Sequence, residues 1–156
     1  MRSASRSGLT NTSGWTSSAM ATSIPGGAAI YLLDSRVLIR SLRGDAVISA
    51  RISSLPRVFV PSIVIGELLV GAYGSPTRPD AAVADVEARV RAIATLAVDE
   101  ATARLYAQIK HDLKRRGLIM PDNDLWIAAT AMQYDVTLVA RDAHFNWITG
   151  LRLEQW

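Results

Sequence analysis

From residue 30 onward, short apolar runs alternate with longer stretches in which apolar residues recur every three or four positions. The runs are AIYLL (29–33), RVFV (57–60), LAV (96–98), VTLVA (136–140) and LRLE (151–154). Continuous apolar runs of this length suit strands covered on both faces, as in a parallel sheet, with LRLE as a final edge strand. SRVLIRSL places apolar residues at 37, 38 and 42, and Gly44 closes it as a helix. DAVISARISSL opens on Asp45 as a cap. SIVIGELLVGAYG (62–74) opens on Ser62 after Pro61 and ends on glycine.

After the loop GSPTRP, the segment DAAVADVEARVRAIATL carries acids early and arginines late, as a helix dipole favours. DEATARLYAQIKHDLKRRG (99–117) has an apolar stripe at 101, 105, 106, 109 and 113. DNDLWIAATAMQY (122–134) starts after Pro121, and DAHFNWI (142–148) reads as a short helical turn. Alternating strands and helices imply an α/β fold, three-layer αβα, with a central, mostly parallel sheet. Ligands of such folds bind beyond the carboxyl ends of the strands.

The first 29 residues break the pattern. They are rich in Ser, Thr and Gly, contain no acid, and read as a disordered leader or an extension arising from cloning or start-site choice, with Met20 as an alternative start. The folded domain is expected over 30–156. That division changes the meaning of the net charge of +3. Without Arg2 and Arg6, 15 of the 17 basic residues remain against 14 acids, too even a balance to argue nucleic-acid binding from charge. Only Lys110 and Lys114 are lysines, which leaves little room for Schiff-base or Walker-type chemistry. The chain has no cysteine, excluding disulfides and zinc–thiolate sites and fitting a reducing cytoplasm. No apolar stretch is long enough to span a membrane.

The acids carry the candidate chemistry. Asp45, Asp80 and Asp99 stand where helices should start and read as caps, while Asp85, Glu87 and Asp112 read as solvated helix faces. Asp34 directly follows the first strand and Asp142 closely follows the VTLVA strand, so each is either a cap or a group aimed into the crevice. Glu67 lies in the middle of IVIGELLVGA with no basic residue between Arg57 and Arg78 to neutralise it. Asp122, Asn123 and Asp124 compete for one cap position after Pro121, which leaves Asp124 surplus and Asp122 as a cap or first-turn partner of the dipole. Brought together, Asp34, Glu67, Asp124 and Asp142 would repel one another unless a cation neutralised them. Hard oxygen donors without cysteine favour Mg²⁺ or Mn²⁺.

The ordered motifs LLDSRVLI, IVIGELLVGA, DNDLWIAATA, TLVARDAHF and GLRLEQW, covering residues 30–156, resemble those of PIN-domain ribonucleases, and most of all the VapC-type toxins of bacterial toxin–antitoxin pairs. The resemblance implies a PIN-like domain that cuts RNA with one or two Mg²⁺ or Mn²⁺ ions, forms a homodimer, works in the cytoplasm and is silenced by a cognate antitoxin. It implies that Asp34, Glu67, Asp124 and Asp142 are the catalytic and metal-binding acids, with Ser35 and Asp122 supporting them. Arg36 departs from the family, which often carries Asn there. It is a candidate for contacting RNA phosphate or for pairing with an acid, and Arg115, Arg116 and His144 are further candidate substrate contacts. Trp126, Phe145 and Trp147 read as packing residues.

Two enzyme rivals lack a residue they need. A haloacid-dehalogenase-type phosphohydrolase wants a second Asp where Arg36 stands, and a receiver domain wants a strand-end lysine. The remaining alternative is a degenerate PIN domain that acts as a non-catalytic module, binding the antitoxin and regulating its operator.

Overall fold

The computed structural model describes residues 29–156, so the expected leader, apart from Ala29, lies outside the described residues. The elements run β1 (Ile30–Leu33), α1 (Ser35–Leu42), α2 (Ala46–Ser54), β2 (Arg57–Pro61), α3 (Ser62–Tyr73), α4 (Pro79–Val90), β3 (Ala94–Leu96), α5 (Glu100–Arg115), α6 (Asp122–Gln133), β4 (Thr137–Ala140) and β5 (Leu153–Gln155). A 3₁₀ turn, Ala143–Trp147, joins the last two strands. The five strands form one sheet in the order β3-β2-β1-β4-β5, with every neighbouring pair parallel.

Parallel pairing hides the central strands under helices, and their residues answer to that. Leu32, Leu33, Val60, Leu138 and Val139 are fully buried. Helix α6 turns Ala128, Ala129 and Ala131 inward, also fully buried. Small side chains on this face let the helix lie close against its neighbours, and Trp126 stacks flat on Tyr106 of α5 at 4.0 Å. Gly44 and Gly117 close α1 and α5 at φ +90° and +70°, a region that disfavours any side chain. No helix among the described residues is long and apolar enough to cross a membrane.

Several local expectations shift. Ser62 is the first helical residue rather than a cap, because Pro61 both ends β2, paired with Leu96, and holds the N-cap position. Asp80 lies in the first turn of α4 behind Pro79, so it faces the helix dipole without capping. Helix α4 stops at Val90, and the third strand is Ala94–Leu96 instead of 96–98. That strand is a three-residue edge with two exposed positions, too little apolar pattern to fix its register.

Strand order reverses at β1: the chain first builds outward through β2 and β3, then crosses back to place β4 and β5 on the other side. The crevice beyond the carboxyl ends of β1 and β4 is therefore the switch point where an open α/β sheet takes its ligand. Asp34 begins where β1 ends, and Asp142 follows β4 by two residues.

Asp99 illustrates how the lower layer is tied. Its carboxylate accepts from Thr102 N at 3.1 Å, the Thr102 hydroxyl accepts from Asp99 N, and Gln133 of α6 donates to both carboxylate oxygens at 2.9 and 3.0 Å. We expect Asp99→Ala to lower the urea-unfolding free energy by about 1–2 kcal/mol, since it removes a cap and an α5–α6 link together.

Candidate active site

Asp34 extends the β1 ladder: its backbone N–H donates to Val139 O at 3.0 Å, so the sheet fixes the residue's position. It stands at the N-cap of α1, yet its side chain makes no capping hydrogen bond. Ser35 Oγ donates to Asp34 Oδ1 at a long 3.4 Å. With 2 % of its surface exposed, the carboxylate is almost out of water. Burial is the main cause that raises its pKa from the ordinary 3.8 to about 6; the Asp124 and Glu67 charges add to it, and the backbone N–H groups of Ser35 and Arg36 oppose it. Turn chemistry does not account for such a residue.

Glu67, on α3, is half-buried. Its Oε1 accepts from Asn123 Nδ2 at 2.8 Å, and its Oε2 is buried without a hydrogen-bond partner among the described residues. Asp124, in the first turn of α6, has its pKa raised by burial first, then by the Asp142 charge and by Glu67, while Arg36 and His144 lower it. These mutual effects place Asp34, Glu67, Asp124 and Asp142 around one crevice, drawn from four separate segments of the chain.

Asp142 differs from the other three because its charge is already matched. Arg36 Nη1 lies 3.1 Å from Oδ2, and Oδ1 accepts from His144 N at 3.0 Å. His144 Nδ1 is 2.9 Å from the same Oδ1 but outside hydrogen-bonding geometry, and its ring leans on Trp147 at 4.4 Å. Asp142 thus serves as the cap of the 3₁₀ turn as well as a crevice acid.

Other expected residues stand elsewhere. Asp122 turns toward α5, held by Lys110 Nζ at 2.6 Å and the Tyr106 hydroxyl at 3.0 Å, which lower its pKa. Arg116 pairs with Asp112 and donates to Trp147 O at 2.8 Å, tying α5 to the 3₁₀ turn, and Arg115 is exposed at the end of α5. Phe145 is core, as expected. The residue that the sequence does not single out is Asn123: between two aspartates it reads only as a rival cap, and its partner is 56 positions away.

The donor chemistry fits a hard divalent cation. Among the described residues Asp34 and Glu67 have no ion-pair partner, the Arg36 and His144 charges only partly offset the burial of Asp124, and the orphaned Glu67 Oε2 is an acceptor without a donor. The side chains are not already drawn into a cage, since no group of three or more His, Asp or Glu among the described residues is arranged to hold an ion.

A crevice of acids at the switch point of a five-stranded parallel sheet defines an α/β protein with a carboxylate centre. Comparison gives it a family. The PIN domain model matches residues 31–150, and the chain belongs to the PIN-domain family. It is 28 % identical over 132 residues to ribonuclease VapC1 of Haemophilus influenzae, covering 81 % of this chain and 98 % of that one. It is 32 % identical over 124 residues to ribonuclease VapC5 of Mycobacterium tuberculosis, covering 78 % and 90 %. Among solved structures, VapBC-1 of nontypeable H. influenzae superposes with a TM-score of 0.74 at 28 % identity, over 81 % of this chain and 98 % of that chain. VapBC2 of Rickettsia felis bound to a promoter DNA fragment gives 0.76 at 23 %, over 81 % and 98 %, and shares the fold.

The raised pKa of Asp34 makes a prediction about stability with its sign fixed. A folded-state pKa above the unfolded value means that the ionised carboxylate destabilises the metal-free fold. The penalty is complete above pH 6 and fades as pH falls through 6 toward 3.8. At about 1.4 kcal/mol per pKa unit, it amounts to roughly 3 kcal/mol. In EDTA at pH 7, Asp34→Asn should be more stable to urea than the parent, and the gap should close by pH 4.

Proposed function

We propose that this chain is a metal-dependent endoribonuclease toxin that a cognate antitoxin neutralises in the cytoplasm. The observation that carries the reading is the convergence of Asp34, Glu67, Asp124 and Asp142 near the switch point, with Asp142 alone of the four in a salt bridge among the described residues. Relatives that align over nearly their whole length are ribonucleases, and they support RNA as the substrate. The solved VapBC complexes support an antitoxin as the partner.

Mg²⁺ or Mn²⁺ bound here would supply Lewis acidity at the scissile phosphodiester and offset the charge that develops on it. The protein's own part is to hold the ligands in place. Asp34 is held by the β1–β4 ladder. Asn123 pins one oxygen of Glu67, which leaves the other oxygen to the crevice. Asp124 enters from the first turn of α6, and Ser35 steadies Asp34. RNA would meet a negative crevice, and Arg36, paired with Asp142 and with its side chain 62 % exposed, is a cationic group placed to receive a phosphate, with His144 on the same acid.

A homodimer is part of the same reading. Helix α3 turns Val70 and Tyr73 to solvent at 74 % and 68 % exposure, with Gly66 one turn before them on the same side. An apolar helix face of this kind suits a second copy of the chain.

Purified without its antitoxin, the chain should cleave RNA in MnCl₂ and stop on addition of EDTA. Asp124→Asn should slow cleavage at least about 100-fold while leaving the circular dichroism spectrum unchanged. Cleavage that persists after exhaustive chelation would contradict the mechanism. Tyr73→Asp should halve the mass seen by light scattering, and a monomeric parent protein would contradict the dimer.

A further inference from the structure

The Arg36–Asp142 pair is the feature of the crevice that its other acids do not share. Asp142 has 14 % of its side chain exposed, and both its oxygens are engaged: Oδ2 by Arg36 and Oδ1 by the backbone N–H of His144. To ligate an ion it would have to break a charged contact in a partly desolvated place, which is costly. Arg36 meanwhile points outward, and a guanidinium with five donors can hold a carboxylate on one side while keeping donors free on the other. Among the described residues Asp34 and Glu67 have no such partner, Asp124 feels the Arg36 charge without a salt bridge to it, and Asn123 gives Glu67 only a neutral amide.

We propose that Arg36 takes the place of a second metal ion: the site binds one divalent cation on Asp34, Glu67 and Asp124, while Asp142 anchors Arg36 as a fixed positive charge facing the substrate phosphate. This inference rests on the metal-dependent reading above and deepens it. A second divalent ion beside Asp142 would sit against the guanidinium, and like charges at such range exclude each other. One dipositive ion together with Arg36 gives three positive charges against the four carboxylates, so no second ion is needed to bring the crevice near neutrality. Arg36 is then a positioning and phosphate-binding residue tied to the protein by Asp142. Arg36 thereby sets the number of metal ions the crevice takes, with its four acids kept intact.

The test is calorimetric titration of the full chain with MnCl₂ alone, checked by electron paramagnetic resonance of the free Mn²⁺. The parent should bind one Mn²⁺ per chain. Arg36→Asn should open a second, weaker site, whereas Arg36→Lys should keep one, and the lysine variant guards against a folding defect in the asparagine one. Asp142→Asn should leave the first site's affinity within about threefold of the parent. Two ions on the parent protein, or one ion on a folded Arg36→Asn variant, would overturn the inference and leave the metal-dependent reading standing. No Mn²⁺ bound to a parent that still cleaves RNA would overturn both.

Discussion

An ionised carboxylate almost wholly removed from water is the constraint around which this fold is arranged. Asp34 is 2 % exposed, and the sheet itself holds it there through the bond from its N–H to Val139. Among the described residues no arginine or lysine pairs with it, and the charges of Asp124 and Glu67 make its ionisation harder. Such an arrangement is unfavourable on its own and becomes favourable when a cation enters, because the same desolvation that penalises a lone charge strengthens its attraction to an opposite one. The fold carries a local penalty at the crevice and offsets it with the fully buried centre of the parallel sheet.

The four acids play unequal parts as a consequence. Glu67 and Asp124 come from helices that begin at Ser62 and Asp122, each just after a proline at the N-cap position. Their helices approach each other closely enough for Asn123 to reach Glu67. Asp142 acts on Asp124 as its strongest like charge, and the 3₁₀ turn it caps and the Arg36 guanidinium share its two oxygens. Among the described residues the crevice therefore has one acid in a salt bridge and three without one. Under the proposed function, a bound ion and Arg36 would be the two positive groups that a phosphodiester meets there.

How much of this the sequence makes legible depends on the range of the interaction concerned. Apolar runs identify β1, β2 and β4 because strands buried on both faces need apolar residues throughout. Asp45 and Asp99 are recognisable as caps because a cap bonds to an N–H three residues away, and both do so. Ser62 and Asp80 mislead because each follows a proline that sets the helix start one or two residues away from the usual pattern. The surplus of acids at 34, 67, 124 and 142 is visible in the sequence, and so is the absence of a base near Glu67. What stays hidden is tertiary: Asn123 meeting Glu67 across 56 positions, and Asp122 drawn away by Lys110 and Tyr106 of the preceding helix. Arg36 is conspicuous as a residue, but its choice of Asp142 over Asp34, two positions away, is decided by the crevice geometry.

Thermal unfolding with and without Mn²⁺ reads out a cation held by the crevice acids, because a ligand that binds only the folded state stabilises it by mass action. At about 100 times the dissociation constant the gain is roughly 2.7 kcal/mol. The buried, mutually repelling carboxylates predict that saturating MnCl₂ raises the midpoint of the parent chain by several degrees. The same concentration should leave a variant carrying Asp34→Asn, Glu67→Gln and Asp124→Asn unchanged. An unmoved midpoint in the parent, or an equal shift in the variant, would contradict a cation held by these three acids.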